Sequence, residues 1–411
     1  MKNKRRVVVV GTGIRSPIGN NLGDFTKSLQ EKRSGIRMMT EWANVTRLRT
    51  QVAGLCNIEG EEEVIPRQYL RSMGRVATLA ALSALDAIKA SGLREEEIAS
   101  PRCGISYGST EGSPANQANF LSKIIQRRSL EGIPPSWYLK CMSHTCASNI
   151  SVMLHTRGPF IASCTACVSG SQGIGFGYEA IKSGKADIMI TGGAEEVDLL
   201  SAVVFDLMMA TSSSYNKQPW QTPRPFDIDR DGLVVAEGAA TLVLEEYDRA
   251  RKRGAPILGE IEGFWTNGSG LHLTNSDARS IEECLLYALR DAGRNPEEIG
   301  HINAHATGTS HGDAVEAVVT HKIYGPNVPV TSLKGHMGHT MGACGAIEAV
   351  ATLIMMREGF MASTLNLEKP DPEFPPLAHV MGECRSQRFR IGVSNNFAFG
   401  GVNTSLILSM I

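Results

Sequence analysis

The chain has 411 residues, beyond the roughly 250 to 300 at which one hydrophobic core stops growing, so two domains or one large duplicated core is expected. Its 41 basic and 42 acidic residues leave a net charge of −1. That balance excludes the basic excess typical of nucleic-acid binders and requires any charged partner to meet a local patch. Nine cysteines, an odd number scattered from Cys56 to Cys384, do not resemble a secreted disulfide framework, so reduced thiols and a soluble, cytoplasmic protein are expected.

The opening MKNKRRVVVVGTGI places basic residues before valines, but its apolar run, residues 7–10, stops at Gly11. A signal h-region needs about 7 to 15 apolar residues, and no stretch approaches the roughly 20 of a membrane span. Residues 7–10 read instead as a strand. The GTGIRS that follows opens like a dinucleotide-binding fingerprint, yet Ser16 stands where the third glycine belongs and Pro17 comes next, so no nicotinamide site is expected. Further strands are predicted at 103–107, 188–191 and 240–245, then at 302–303, 391–394 and 405–408, alternating with long helical segments. This is the pattern of a layered α/β protein. Several strands run into Gly/Ser/Thr-rich loops, and chemistry in such sheets gathers at those strand ends.

Two echoes connect the halves. ALSALDAIKASGLREEEI (81–98) precedes the strand GISYGS, as EECLLYALRDAGRNPEEI (282–299) precedes HINAHATG; CVSGSQGIGFGYEAIKSG (167–184) pairs with MGHTMGACGAIEAVATLIMMREG (337–359). Recurrence in the same order predicts a duplication, with halves at 1–252 and 253–411.

The stretch SCTACVSG holds Cys164 and Cys167 three residues apart. Zinc would require a second ligand pair; the chain has no other C-x-x-C, and His301 with His305 or His336 with His339 offers only a weak match. A redox pair would need both sulfurs accessible at one helix start. Cys167 begins a glycine-rich helical segment and Cys164 falls in the apolar FIAS strand before it, so Cys167 suits a nucleophile, its pKa lowered by roughly one unit at the helix N-terminus. A buried structural thiol is the competing reading. His305 directly follows a strand, and Lys334 and His339 lie in a loop before the helix that echoes the Cys167 helix.

TACVSG, NAHATGT, LKGHMGH with GA-x-GAIEA, and SNNFAFGGVN resemble, in order and spacing, the motifs of elongating β-ketoacyl-acyl-carrier-protein synthases, condensing acyltransferases of the thiolase superfamily. The resemblance extends through SGKADIMITGGAEE and RPFDIDRDGLVVAEGAATLVLEEYDRARKRGA and covers essentially the whole chain. It implies the five-layered α-β-α-β-α thiolase fold of two duplicated halves. It implies Cys167 as acyl-accepting nucleophile, with Cys164 a buried neighbour, and His305 and His339 as N–H donors to the malonyl thioester oxygen. Lys334 is implied as electrostatic support, with Glu348 as its companion and Asp313 as a structural acid. Thr307 and Thr309 are implied to hold the phosphopantetheine arm, and Phe397 and Phe399 to form the gate, with the Phe399 amide in the oxyanion hole. No cofactor or metal is implied, since phosphopantetheine arrives on the acyl carrier protein.

Carrier proteins are acidic, so Arg67, Arg71 and Arg75, together with Arg127 and Arg128, are the candidate docking patch; solvated helix faces are the alternative. A homodimer, or a heterodimer with a chain-length-factor-like subunit, is implied. Where this chain has Ala306, Gly308, Cys344 and Ala398, the family usually has Gly, Ser, Ala and Gly, which leaves fatty-acid and specialised polyketide or polyene substrates both open. A thiolase would need a second cysteine in SNNFAFGG, a CoA-using initiating synthase would use Cys-His-Asn, with Asn395 or Asn396 as the Asn, and a non-catalytic chain-length partner would lack Cys167.

Overall fold

The computed structural model describes residues 5–411. In the first half, β1 (Val7–Arg15), α1 (Arg75–Ser91), β2 (Cys103–Gly108), β3 (Phe160–Ser163), α2 (Ser169–Lys182), β4 (Ile188–Glu195) and β5 (Gly238–Glu246) follow in order. The second half brings β6 (Gly259–Gly268), α3 (Ala278–Ala292), β7 (His301–Asn303), α4 (Ser310–Tyr324), β8 (Pro329–Thr331), α5 (Cys344–Glu358), β9 (Ile391–Ala398) and β10 (Val402–Ser409).

The strands run β3-β2-β4-β5-β1-β6-β10-β9-β7-β8, with Ala378–His379 beyond β8. Each half therefore uses its five strands in the same spatial order, mirrored about the antiparallel join of β1 and β6. Register repeats as well. The row Phe160, Ile105, Ile190, Val243, Gly11 in the first half corresponds to Val330, Ile302, Val393, Ile407, Gly263 in the second.

Both rows end on a glycine for the same reason. A Cβ on Gly11 would lie 2.2 Å from the Ala87 carbonyl oxygen of α1, and one on Gly263 would lie 2.6 Å from that of Ala288 in α3. The glycine of GTG thus lets a helix approach the sheet backbone closely; it cradles no phosphate.

The layers follow from which faces are apolar. In β1, Val8 and Val10 pack with α1 while Val7 and Val9 face the centre of the molecule, the two-residue alternation of a strand covered on both sides. Helices α2 and α5 pack on each other and on strands of both halves, α1 covers the outer face of the first sheet half, and α3 that of the second. This is the duplicated five-layer thiolase fold. Every residue of α5 from Cys344 to Met356 is buried, which is why that helix is apolar all round and shows no amphipathic stripe. Among the described residues no helix is long and apolar enough to cross a membrane.

Candidate active site

Cys167 sits on a single 3₁₀ turn, Ala166–Val168, immediately before α2. Ala166 adopts φ +50°, a left-handed conformation that an alanine takes only where its surroundings impose it. The duplicated turn before α5 has Met341 at φ +42°, and Gly342 stands where the first half has Cys167. The path from Val330 to Met341 is five residues longer than its counterpart from Phe160 to Ala166. That longer loop carries Lys334 and His339, so the second half supplies the charged and imidazole groups and the first half the thiol.

Cys167, His305 and His339 line a cavity of about 520 Å³ that also takes in Thr307, Thr309 and Phe399 and reaches the surface near Met209 and His311, with Lys334 buried outside it. Nε2 of His339 lies 2.9 Å from Sγ of Cys167. The His305 and His339 rings meet edge to face, centroids 5.1 Å apart, and Phe397 packs against His305. Phe399 rests on Phe205, and the Thr307 and Thr309 hydroxyls are 3.0 Å apart. Lys334 and Glu348, both fully buried, pair at 2.5 Å.

Burial sets the protonation states. It pushes the Cys167 thiol up to about 12, against the pull of Lys334 and with the help of Glu195. The expected lowering at the helix start is thus outweighed, and the thiol rests protonated beside the His339 imidazole. Burial, reinforced by Lys334, holds His305 and His339 well below their ordinary range, so both are neutral at pH 7. Burial opposes the Lys334 charge, but Glu348 outweighs it and keeps the ammonium.

Two acids on α4 shape the loop after β7. Asp313 accepts from the backbone N–H groups of Phe226, Thr307 and Gly308, and Glu316 from those of His305 and Ala306. Burial raises their carboxyls to about 6 and about 8, against those backbone donors. Glu316 carries no sequence signal, nor does Glu195, which accepts from Thr110 and Gly342; Asn396, expected only as the Asn of a Cys-His-Asn triad, instead donates its side chain to Glu348 at 2.7 Å.

Some expectations are corrected. Strand β3 ends at Ser163, and Cys164 is exposed, its thiol on the Thr110 carbonyl; it is no buried neighbour, because the chain turns outward before the 3₁₀ turn. Arg75 is committed to the buried Glu237 and the Cys56 carbonyl and holds the fold there. Arg67, Arg71, Arg127 and Arg128 are exposed and form no ion pair among the described residues, and none lines the cavity. His301 and His336 are buried elsewhere, on Thr331 and on the Arg33 and Ser363 carbonyls.

Cys167, His305 and His339 bring potential ligand atoms within 4.8 Å of one another. A metal-bound imidazole donates its second N–H to an acceptor. Here Nδ1 of His305 faces the amide nitrogen of Asn396, a donor, and Nδ1 of His339 has no hydrogen-bond partner among the described residues. With the Lys334 ammonium close by, the set suits thiol and enolate chemistry and does not fit a metal.

A buried thiol with a neutral imidazole on its sulfur, on a duplicated thiolase scaffold, defines a condensing acyltransferase. Residues 4–250 match the β-ketoacyl synthase N-terminal domain and residues 258–368 the C-terminal domain. The chain is 34% identical over 404 residues to 3-oxoacyl-[acyl-carrier-protein] synthase 1 of Haemophilus influenzae, covering 98% of both. It is similar to the crystal structure of a β-ketoacyl synthase from Burkholderia phymatum STM815, with TM-score 0.96, 40% identity, and 99% and 100% of the two chains covered. It is also similar to the ishigamide ketosynthase/chain length factor, with TM-score 0.93, 30% identity, and again 99% and 100% covered. The chain belongs to the β-ketoacyl synthase family and has the condensing activity of its 3-oxoacyl-acyl-carrier-protein synthases.

Proposed function

We propose that Cys167 takes an acyl group from acyl carrier protein and that His305 and His339 direct the decarboxylative condensation with malonyl carrier protein. The supporting observation is the 2.9 Å approach of Cys167 Sγ to His339 Nε2 beside His305. The thiol proton passes to Nε2 as sulfur attacks the acyl thioester, and the displaced carrier thiolate regains it. The tetrahedral oxyanion is received by the backbone amides of Cys167 and Phe399, and one such donor is worth about 3 to 4 kcal/mol. Malonyl thioester then loses CO₂, the negative charge collects on its thioester oxygen, and two neutral N–H donors stabilise it there. The enolate carbon attacks the acyl carbonyl, the carbon–carbon bond forms, and the Cys167 thiolate leaves and takes up a proton from solvent.

Thr307 and Thr309 hold the phosphopantetheine arm, Asp313 keeps their loop in place, and Phe397 and Phe399 gate the way to Cys167. Arg67, Arg71, Arg127 and Arg128 form the surface for the acidic carrier. A homodimer is the assembly, supported by the edge position of β3 with Phe160 exposed; a heterodimer with a chain-length-factor-like subunit is the alternative, favoured by the ishigamide relative. The reducing cytoplasm suits a thiol nucleophile.

The test is intact-protein and peptide mass spectrometry after incubation with acyl carrier proteins of several chain lengths. Cys167→Ala should abolish the acyl adduct, and Cys164→Ala should keep it at the parental level within about threefold. An adduct on Cys164 would overturn the assignment.

A further inference from the structure

The two histidines are held differently. Among the described residues Nδ1 of His339 has no hydrogen-bond partner, so its proton is free to sit on either nitrogen, as an acceptor of the thiol proton requires. Nδ1 of His305 faces Asn396 Nδ2 at 3.4 Å. Asn396 is fully buried on β9, and the same amide nitrogen lies 2.7 Å from Oε2 of Glu348, whose other oxygen pairs with Lys334.

Which end of that amide faces His305 follows from chemistry. Burial raises the Glu348 carboxyl, and Lys334, 2.5 Å away, pulls it back toward the ionised form. A carbonyl oxygen 2.7 Å from that carboxylate is repelled, whereas an amide N–H is attracted. Glu348 therefore orients the nitrogen toward itself and leaves the second N–H to His305 Nδ1 at 3.4 Å, nearer than Cys344 Sγ at 3.6 Å. The amide oxygen of Asn396 is left with no hydrogen-bond partner among the described residues, against Gly345. An imidazole nitrogen that receives an N–H must be the unprotonated one, which puts the His305 proton on Nε2.

We infer that Asn396 is a positioning residue for the condensation: ordered by the Lys334–Glu348 pair, it locks His305 in the Nε2–H form and so makes it a permanent hydrogen-bond donor to the enolate oxygen. Lys334 then acts at a distance, keeping Glu348 ionised so that the amide cannot turn round. The division of labour is between a fixed donor, His305, and an exchangeable one, His339. The inference rests on the proposed role of His305.

The experiment compares the parent with Asn396→Leu, which fills the space without a donor, and Asn396→Ala, which tests the donor without overpacking. The tautomer is read from ¹⁵N chemical shifts of the histidine rings, with His305 assigned by its loss in His305→Gln. Acyl transfer to Cys167 and CO₂ release from malonyl carrier protein are measured on the same samples. Expected is a His305 signal moved toward the Nδ1–H form, CO₂ release at least tenfold slower, and acylation within about threefold of the parent. A folded variant that keeps the Nε2–H signal and the parental rate of CO₂ release would overturn the inference, as would equal losses in both half-reactions with the signal unmoved. Failure of the underlying reading is distinct: there His305→Gln itself would release CO₂ normally.

Discussion

Cys167 and His339 form a neutral pair whose reactivity comes from contact, since burial has raised the thiol and depressed the imidazole. This separates the two histidines kinetically. His339→Ala removes the acceptor of the thiol proton and should slow acylation by about 10²-fold or more, the usual scale for a general base. His305→Ala should leave acylation nearly intact and slow CO₂ release by at least a similar factor. Because both imidazoles are held below their ordinary range, neither gains a proton between pH 8 and pH 6. The groups that titrate at the upper end of that interval are the Glu316 and Glu195 carboxyls, raised to about 8. CO₂ release from malonyl carrier protein should therefore show no histidine limb near pH 6.5, and any limb it has should fall near pH 8. Stopped-flow measurement of each half-reaction checks both statements; an acid limb near pH 6.5 would mean that one histidine titrates as it does in water. The residues legible in the sequence were those inside contiguous motifs: Cys167, His305, Lys334, His339 and Glu348. Asn396 was visible only as one of two adjacent asparagines suited to a different triad. What distinguishes it is a contact with a glutamate on another helix, which no local pattern encodes; Glu316 and Glu195 stayed hidden because a carboxylate binding backbone N–H groups leaves no periodicity.

Among the elements, strands with a continuous apolar run were readable; the three-residue β8 and the much longer β6 were not. The sequence of β6, GEIEGFWTNG, contains three glycines and no continuous apolar run; it becomes a strand through pairing with β1 and β10, a tertiary effect that overrides weak propensity. The echo of helix, glycine turn and strand was correct, with Gly92 and Gly293 closing α1 and α3 at φ +65° and +68°. The carrier surface belongs to this scale. Arg67 and Arg71, on the short helix Arg67–Leu70 and its C-cap, have no acidic partner among the described residues, whereas Arg75 at the start of α1 is paired with Glu237. Reversing Arg67 and Arg71 to Glu should raise the apparent KM for acyl carrier protein about tenfold at low salt and flatten its salt dependence. Turnover of a small acyl thioester should change by less than about twofold, because rim charges mainly steer encounter. Arg75→Glu makes the contrasting control: it leaves the buried Glu237 carboxylate unpaired, and a loss shared by both substrates marks damage to the fold.

For the whole molecule, the arrangement of α2 and α5 decides how far the halves are independent. We place the join between Lys252 and Arg253. Each half has its own outer layer, but the central helices touch both sheet halves and each other, and α5 has no exposed residue from Cys344 to Met356. Separating the halves would bare one side of that helix and the facing side of the sheet. At about 25 cal/mol per Å² of apolar surface, even a few hundred Å² would cost on the order of 10 kcal/mol, comparable to the entire stability of a typical domain. Glu195 adds a polar tie, since its carboxyl at the end of β4 receives the N–H of Gly342 from the other half. Segments 1–252 and 253–411 expressed separately should therefore show helical circular dichroism without a cooperative thermal transition. Mixed during refolding, they should regain one shared transition and the ability to acylate Cys167. A sharp, independent melt of either segment alone would mean that the halves are true domains and that the active site, with its thiol on one and its histidines on the other, is an interface between two self-sufficient bodies.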